Sequence, residues 1–216
     1  MIVVNEIFHS IQGESTRAGL PTVFIRTTGC HLRCSYCDTK YAYTDGEKLN
    51  IREIIERVEN YNTPFVCVTG GEPLLQKDVP LLLKELCDLK YIVSLETSGD
   101  LSCRDVDSRV KKIIDVKTPG SNACKGLHSD NFPQNKKVIN VKDEYKFVIC
   151  SDADFDWAEN FCHKHYLFDS NCVLYSPSHE KLAAQWLAKK ILNKNSQARL
   201  QLQLHKYIWS SSERNI

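Results

Sequence analysis

The chain lacks the features that would indicate export, membrane insertion or nucleic-acid binding. Its first residues do not have the charged-then-apolar layout of a signal peptide, and no run approaches the roughly 18 apolar residues of a membrane-spanning helix. Its 28 Lys and Arg nearly balance its 27 Asp and Glu, so no overall charge favours binding to a phosphate backbone. We therefore expect a cytoplasmic protein that binds neither membranes nor nucleic acid.

The sequence also lacks internal repeats, low-complexity tracts and any abrupt change of composition. A chain of 216 residues without such a break is long enough to bury one substantial core. We expect a single domain over residues 1–209. The polar segment 210–216 is expected to form a solvated tail.

Ten cysteines stand out against these absences. In a reducing compartment, cysteines act as metal ligands or as small buried hydrophobic residues more often than as disulfides. Three of them, Cys30, Cys34 and Cys37, fall within eight residues. The other seven are scattered along the chain, and we predict that they are core residues.

Short apolar, β-branched runs alternate along the chain with amphipathic segments. The runs predict strands at 23–26, 65–69, 91–96, 112–116, 145–150, 172–175 and 199–204. The amphipathic segments predict two helices capped by Asn50 and Asp78 and two more at 152–166 and 179–192. Strands that alternate with helices indicate an α/β fold with a mostly parallel sheet, and six or seven units suit a partial, open (β/α) barrel.

The three neighbouring cysteines follow the strand predicted at 23–26. Three thiolates at this spacing can bind three irons of a four-iron, four-sulfur cluster. No fourth cysteine is near in sequence, so one iron keeps an open position, which is the feature that separates catalytic from structural metal sites. Two alternatives remain open at this point: a zinc site, which needs four ligands and could recruit His31, or three ordinary buried cysteines.

A pair of glycines, Gly70 and Gly71, follows the strand predicted at 65–69. Glycine has no Cβ, so the backbone there can approach a ligand closely, although a tight turn would also explain the pair. Parallel strands carry their sites at their carboxyl ends. The glycine pair and the cysteine segment should therefore lie close together.

With these two motifs the sequence resembles the radical S-adenosylmethionine (SAM) superfamily, which carries CxxxCxxC after a strand and a later Gly-Gly-Glu motif. Within that superfamily it resembles the 7-carboxy-7-deazaguanine synthase family over nearly its whole length. The most specific matching segments are Ser-Ile-Gln-Gly-Glu at 10–14 and Cys-Asp-Thr at 37–39. Further matching segments lie at 24–26, 68–73, 96–99, 115–121, 145–149 and 203–206.

The resemblance implies a reaction and its cofactors. The family converts 6-carboxy-5,6,7,8-tetrahydropterin to 7-carboxy-7-deazaguanine with release of ammonia, a radical ring contraction on the route to queuosine and other 7-deazapurines. A reduced [4Fe-4S] cluster cleaves SAM to start this reaction, and the cofactor is regenerated. The resemblance also implies a homodimer and an external electron donor such as flavodoxin or ferredoxin.

The resemblance assigns roles to individual residues. Cys30, Cys34 and Cys37 would bind the cluster. SAM would be bound by Tyr36, Cys37, Asp38, Gly71, Glu72, Ser98, Asp115, Val116 and Lys117. The substrate would be bound by Ile11, Gln12, Gly13, Glu14, Arg26 and Thr69.

The chemistry of two of these residues agrees with their implied roles. Arg26 can form paired hydrogen bonds to a substrate carboxylate, and Glu14 can accept hydrogen bonds from ring N–H groups. Without the family, Arg26 could equally be a surface salt bridge, and Lys117 and Lys146 could be solvated charges.

The resemblance further implies that Thr39 binds Mg²⁺ beside the substrate. Mg²⁺ prefers oxygen ligands and often takes only one or two from the protein. The alternative is a hydroxyl that caps the following turn. Because the chain continues for seven residues past Trp209, we assign no substrate ligand to its C-terminal end.

Two other functions remain possible from the sequence. A small radical enzyme that activates a partner protein by forming a glycyl radical would also carry CxxxCxxC, although segments 12–14 and 37–39 argue against it. A zinc-binding interaction module would contain zinc and would not cleave SAM.

Overall fold

The protein, described here by a computed structural model, is an α/β fold. The structure describes residues 1–131, 133, 142–169 and 172–209. The predicted tail at 210–216 lies outside the described residues. The strands are β1 (Ile2–Ile11), β2 (Pro21–Thr27), β3 (Glu47–Leu49), β4 (Phe65–Gly70), β5 (Ile92–Thr97), β6 (Lys111–Val116), β7 (Glu144–Ile149), β8 (Cys172–Pro177) and β9 (Arg199–Leu200). The helices are α1 (Ile51–Val58), α2 (Val79–Asp88), α3 (Asp152–Lys164), α4 (Ala184–Asn193) and α5 (His205–Ile208).

The described strands form one sheet in the order β3-β1-β2-β4-β5-β6-β7-β8-β9. β1 pairs antiparallel with both β2 and β3, and every pair from β2 to β9 is parallel. Among the described strands, β3 and β9 are the two ends of the sheet and do not pair with each other. The predicted mostly parallel, partial (β/α) barrel is therefore confirmed.

Five elements differ from the sequence prediction. The prediction missed β1, because its polar residues interrupt the apolar alternation that marks a strand, and it missed β3 and α5, which are only three and four residues long. Helix α4 begins at Ala184 rather than at 179, because Glu180 has a left-handed backbone with φ of +62° that a right-handed helix does not contain. Strand β9 ends at Leu200 rather than at 204, because the chain then leaves β8 and the Gln201 side chain bonds to the backbone of Ser15.

The helix starts follow the predicted capping residues in part. Asn50 forms a capping box with Glu53 at the start of α1, with N···O distances of 3.0 and 2.7 Å. Asp78 precedes α2 as predicted but makes no capping hydrogen bond there. Its carboxylate instead accepts a hydrogen bond from the amino group of Met1.

Among the described residues, no helix combines the length and the apolar character needed to cross a bilayer.

Side-chain alternation gives the sheet two different faces. In β2, Val23 and Ile25 pack into a hydrophobic core, whereas Phe24 and Arg26 face a cavity. The same alternation in β4 to β7 turns polar side chains toward that cavity. With Arg26 of β2, these side chains form a polar row across neighbouring strands: Thr69, Glu96, Asp115 and Lys146.

All ten cysteines are free. The prediction that the scattered cysteines are core residues is right for Cys67, Cys87, Cys103 and Cys162, which are buried. It is wrong for Cys124, which is exposed, because it lies in an irregular segment after β6. The remaining two, Cys150 and Cys172, are half-buried.

Candidate active site

A cavity of about 830 Å³ opens at the carboxyl ends of the parallel strands. Its wall brings together residues that are far apart in the sequence: the cysteine loop after β2, the segment after β1, and the ends of β4 to β7. All the predicted site residues line this cavity except Glu72 and Val116.

The two exceptions lie behind the cavity wall. Glu72 is fully buried and accepts hydrogen bonds from the Thr97 hydroxyl and the Ser98 backbone N–H, both at 2.8 Å. Val116 packs in the core on the helix side of the sheet, because alternation along β6 turns only its neighbours toward the cavity. Neither side chain lines the cavity, and Glu72 also accepts a hydrogen bond from the Ser98 hydroxyl at 2.6 Å; their SAM-binding roles stay predictions.

The three clustered cysteines line the cavity on one loop and are half-buried. Burial raises the pKa of the Cys30 and Cys34 thiols, and the charges of the other cysteines add to the effect, while Lys117 opposes it. As isolated thiols they would therefore stay protonated at neutral pH. Ligation to iron favours the thiolate, so three such thiols around one cavity fit an iron–sulfur cluster.

The geometry argues against the zinc alternative. His31, the fourth ligand that a zinc site could recruit, contacts the Asp100 carboxylate instead and is not part of the cavity wall. Within the described ranges, no three His, Cys, Asp or Glu side chains converge as ligands of a single ion. A cubane cluster does not need such convergence, because each cysteine binds a different iron.

Gly71 packs directly against the cysteine loop. A Cβ at this position would lie 2.2 Å from the carbonyl oxygen of Gly29 and 2.7 Å from Cβ of Cys30. The glycine motif therefore lets the end of β4 approach the loop that carries the cysteines, in addition to lining the cavity.

We expect Gly71→Ala to lower the iron content of the purified protein and its visible sulfide-to-iron charge-transfer absorption. The added methyl group must displace backbone beside Cys30, and backbone cannot move as a flexible side chain can. Gly126→Ala is the control for general destabilisation: its φ of +87° makes alanine strained there, but the added Cβ meets nothing within 4 Å and Gly126 is not part of the cavity wall. A Gly71→Ala protein with normal iron content would contradict the close packing.

Arg26 lies in the cavity wall rather than on the surface. Its side chain is 15% exposed and its Nε donates to Glu6 at 2.6 Å. Burial opposes its charge, but Tyr41 and Glu6 raise the pKa of Arg26. Because the Arg26 side chain is mostly buried, its ion pair with Glu6 is not the surface salt bridge that the sequence left possible. The guanidinium is a fixed cation whose other N–H groups can bind an anionic ligand.

Lys117 and Lys146 are not solvated charges, because each is less than one-fifth exposed. Asp115 lies between them, with both lysine Nζ atoms 3.1 Å from its carboxylate oxygens. Lys146 also contacts the Glu14 carboxylate. Lys117 lies 5.7 Å from the centre of the Tyr36 ring. A row of alternating charges thus connects Glu14 to the residues beside the cysteine loop.

Glu96 is a residue of this site that was not predicted from the sequence. Its carboxylate accepts hydrogen bonds from Thr69 at 2.8 Å and from Gln12 at 3.3 Å, so it holds two predicted substrate ligands in place. Its position at the end of β5, in a segment that matches the family, was a signal that could have identified it.

The segment after β9 also lines the site, although no role was predicted for its residues from the sequence. Gln203 donates to Glu14 at 2.7 Å, and Lys206 pairs with Asp38 at 2.9 Å. The His205 ring lies so close to Gly13 that a Cβ there would approach its Nδ1 to 2.1 Å. The family match at 203–206 could have pointed to this segment, which lines the cavity although no C-terminal ligand was predicted.

Tyr36 offers a buried polar atom to a ligand. Among the described residues its hydroxyl has no hydrogen-bond partner, and burial raises the pKa of Tyr36 strongly. Buried hydroxyls in proteins are normally hydrogen-bonded. The orphaned hydroxyl beside the cysteine loop therefore fits a cofactor that occupies this part of the cavity.

Comparisons with known proteins agree with this geometry. Residues 24–119 match the Radical SAM superfamily. The chain is 41% identical over 215 residues to the 7-carboxy-7-deazaguanine synthase of Chlorobaculum tepidum, which covers 99% of this chain and 96% of that protein. It is 35% identical over 228 residues to the synthase of Koribacter versatilis, with 99% of each chain covered.

Solved structures show the same fold at low sequence identity. QueE from Escherichia coli matches with a TM-score of 0.77, at 20% identity over 94% of both chains. Streptococcus suis SuiB bound to S-adenosylmethionine matches with a TM-score of 0.54, at 15% identity over 81% of this chain and 48% of that one.

An open parallel barrel with three free cysteines after β2 defines the class: the protein is a radical SAM enzyme, whose cofactors are a [4Fe-4S] cluster and SAM. The long match to the curated synthases narrows this class. The chain belongs to the 7-carboxy-7-deazaguanine synthase family.

Proposed function

We propose that the protein converts 6-carboxy-5,6,7,8-tetrahydropterin to 7-carboxy-7-deazaguanine and ammonia, in queuosine and 7-deazapurine biosynthesis. The observation that carries the proposal is the single cavity whose wall holds the three cysteines together with Arg26 and Glu14. The proposed ligands of the radical-generating cluster and groups suited to a carboxylated pterin thus line one cavity.

On the cofactor side, the reduced cluster and SAM, when bound, supply the radical chemistry. Cys30, Cys34 and Cys37 are the proposed cluster ligands. SAM-binding roles are proposed for Tyr36, Asp38, Gly71, Ser98, Asp115 and Lys117. Lys206 holds Asp38 in place, and although burial opposes ionisation, this lysine keeps the pKa of Asp38 below its usual value. The Asp38 carboxylate therefore stays charged in the cavity wall.

On the substrate side, Arg26 would bind the carboxylate of the pterin and Glu14 would accept its ring N–H groups. Gln12 and Thr69, both bonded to Glu96, offer further polar contacts to the ring. Ile11 and Gly13 complete the proposed substrate wall. Packing of segment 203–206 on this wall limits the access of water to the reacting ring.

We also propose that Thr39 binds Mg²⁺ shared with the substrate. Thr39 lines the cavity and precedes a 3₁₀ turn at Lys40–Tyr43. Within the described part of the chain its hydroxyl makes no capping hydrogen bond to that turn and lies 3.8 Å from Cys37 Sγ, which favours the metal role over the capping alternative. A lone hydroxyl suits Mg²⁺, which keeps several waters and takes further oxygens from the substrate.

Thr39→Val is expected to remove the effect of Mg²⁺ on pterin binding while leaving the cluster absorption unchanged, because valine keeps the shape of threonine but offers no oxygen. Calorimetric titration of the pterin, with and without Mg²⁺ after chelator treatment, measures this effect. Thr44→Val is the control, since the Thr44 side chain is exposed and is not part of the cavity wall. If the wild-type protein binds the pterin with the same affinity with and without Mg²⁺, Thr39 does not hold a metal ion shared with the substrate.

Further expectations concern location and partners. Ten free cysteines and a cluster that must be reduced support a cytoplasmic enzyme with an external one-electron donor such as flavodoxin or ferredoxin. A homodimer is proposed from family membership, and sedimentation of the purified protein tests it. A single domain over residues 1–209 is proposed because the described strands join one sheet.

The reaction is tested by adding the tetrahydropterin to anaerobic, reduced enzyme with SAM and following the product by mass spectrometry. The proposal predicts 7-carboxy-7-deazaguanine in the absence of any other protein. Cleavage of SAM that requires a protein partner, with the pterin unchanged, would favour the glycyl-radical activase instead.

A further inference from the structure

Lys146 occupies the centre of the charge row in the cavity wall. It lies on β7 opposite Asp115 on β6 in the sheet register, and its side chain is 11% exposed. Its ammonium contacts the Glu14 carboxylate and lies 3.1 Å from Asp115. It is therefore the one cation in the row that touches both an acid on the proposed substrate side and an acid on the proposed cofactor side.

The two acids depend on Lys146 to different degrees. Asp115 has a second lysine partner, Lys117, at 3.1 Å. Glu14 has only neutral Gln203 as a second hydrogen-bonding side chain in the described structure, with His205 nearby. A buried carboxylate without a cation takes up a proton. Loss of Lys146 should therefore change Glu14 far more than Asp115.

Protonation would reverse the hydrogen-bonding character of Glu14. An ionised carboxylate only accepts hydrogen bonds, whereas a carboxylic acid also donates one. The pterin presents several adjacent N–H groups, which are donors. If protonated Glu14 also presents a donor to them, buried N–H or O–H groups are left without acceptors, and binding weakens. Burial opposes ionisation of Glu14, and Lys146 holds the pKa of this carboxyl below its usual value. Burial lowers the pKa of His205, so Lys146 is the cation beside Glu14 at neutral pH.

We propose that Lys146 is a positioning residue that keeps Glu14 ionised and aimed at the N–H edge of the pterin, and so determines substrate affinity without contacting the substrate. This inference rests on the proposed function, because it assigns Glu14 to the pterin. It gives Lys146 a different role from Arg26, which would bind the substrate carboxylate directly.

Lys146→Met tests the proposal, with binding of 6-carboxy-5,6,7,8-tetrahydropterin and of SAM to the unreduced holoenzyme measured separately by anaerobic calorimetry. We expect the pterin dissociation constant to rise by about ten-fold or more and that of SAM to change by less than about three-fold, because Asp115 keeps Lys117. Lys112→Met is the matched control: Lys112 is a similarly buried lysine paired with Asp143 at 2.6 Å, outside the cavity wall. Equal weakening of both ligands would make Lys146 a general structural residue.

A double variant separates an indirect role from direct contact and guards against misfolding. Removing both charges in Glu14→Gln with Lys146→Met leaves no lone buried carboxylate at this point of the wall. The double variant should bind the pterin as Glu14→Gln alone does, since Lys146 acts through Glu14. Additive losses would show that Lys146 contacts the substrate and would overturn the proposal.

The pH dependence of pterin affinity distinguishes the proposed role from a purely structural one, because a structural residue would not change it. The charged and titratable groups facing Glu14 are Lys146 of β7 and His205 of α5, and His205 is common to both proteins. In Lys146→Met the pKa of Glu14 rises, so pterin affinity should recover as the pH increases through that value. Wild type should show no such recovery, and identical profiles would overturn the proposal.

The proposed function and this inference fail in different ways. Wild-type protein that does not bind the pterin overturns the substrate assignment, and the inference falls with it. Wild type that binds the pterin, together with a Lys146→Met protein of unchanged affinity, overturns the inference alone.

Discussion

Cys34→Ala is expected to abolish reductive cleavage of SAM. Cys34 lies on the loop after β2 with Cys30 and Cys37, and all three line the same cavity. A cluster bound by three cysteines has no spare ligand, so losing one leaves two irons without protein ligands. The measurement is 5′-deoxyadenosine formed by anaerobic, reconstituted protein with excess dithionite. Iron content and visible absorption should fall together with this activity.

Cys103→Ala and Cys162→Ala are the controls for this experiment. Both cysteines are buried and free, but neither is part of the cavity wall. Each substitution removes a small buried side chain and should cost stability on the order of 1 kcal/mol while leaving SAM cleavage intact. Normal 5′-deoxyadenosine formation by the Cys34→Ala protein would disprove the cluster assignment.

Arg26→Ala is expected to weaken pterin binding by about 10- to 150-fold, since loss of a charged hydrogen bond to a buried partner costs on the order of 1.5–3 kcal/mol. SAM binding should change little, because the guanidinium is bonded to Glu6 and lies near Phe8 and Tyr41. Calorimetry with each ligand separately measures the two affinities.

Arg17→Ala is the matched control for Arg26→Ala. Arg17 also lies near an aromatic ring, that of Phe65 at 5.8 Å, but it is not part of the cavity wall. Equal loss of both ligands in Arg26→Ala would instead indicate that breaking the pair with Glu6 distorts the wall, and Arg26 would then be a structural residue.

The sequence could predict features that depend on neighbouring residues in the chain. The parallel strands follow from runs of apolar, β-branched residues, and Asn50 caps α1 through Glu53, three residues away. The cysteine loop could be predicted for the same reason, since its three ligands lie within eight residues.

Features that depend on distant contacts could not be predicted in this way. Lys146 and Glu14 are 132 residues apart, and nothing near either residue in the sequence indicates that they meet. The contact of Gln203 with Glu14 spans 189 residues. Val116 shows a different limit: a matching segment does not distinguish the side chains that face the cavity from those that alternate toward the core.

The same limit applies to Glu72, to which the resemblance assigns a SAM-binding role. Motif matching identifies Gly71 and Glu72 together, but only the structure separates their roles. Gly71 lines the cavity and packs on the cysteine loop, whereas Glu72 holds the end of β5 from behind. A motif thus identifies the residues of a site more reliably than it identifies which of them contact the ligand.

The nitrogen and cofactor balance of the reaction tests the central claim most directly. Reduced enzyme is given the tetrahydropterin in large excess over SAM, and 7-carboxy-7-deazaguanine, ammonia and SAM are quantified together. The account predicts equimolar deazaguanine and ammonia, in amounts that exceed the SAM supplied, because the ring loses one nitrogen and the cofactor is regenerated. Consumption of SAM with no deazaguanine formed and no ammonia released would contradict it.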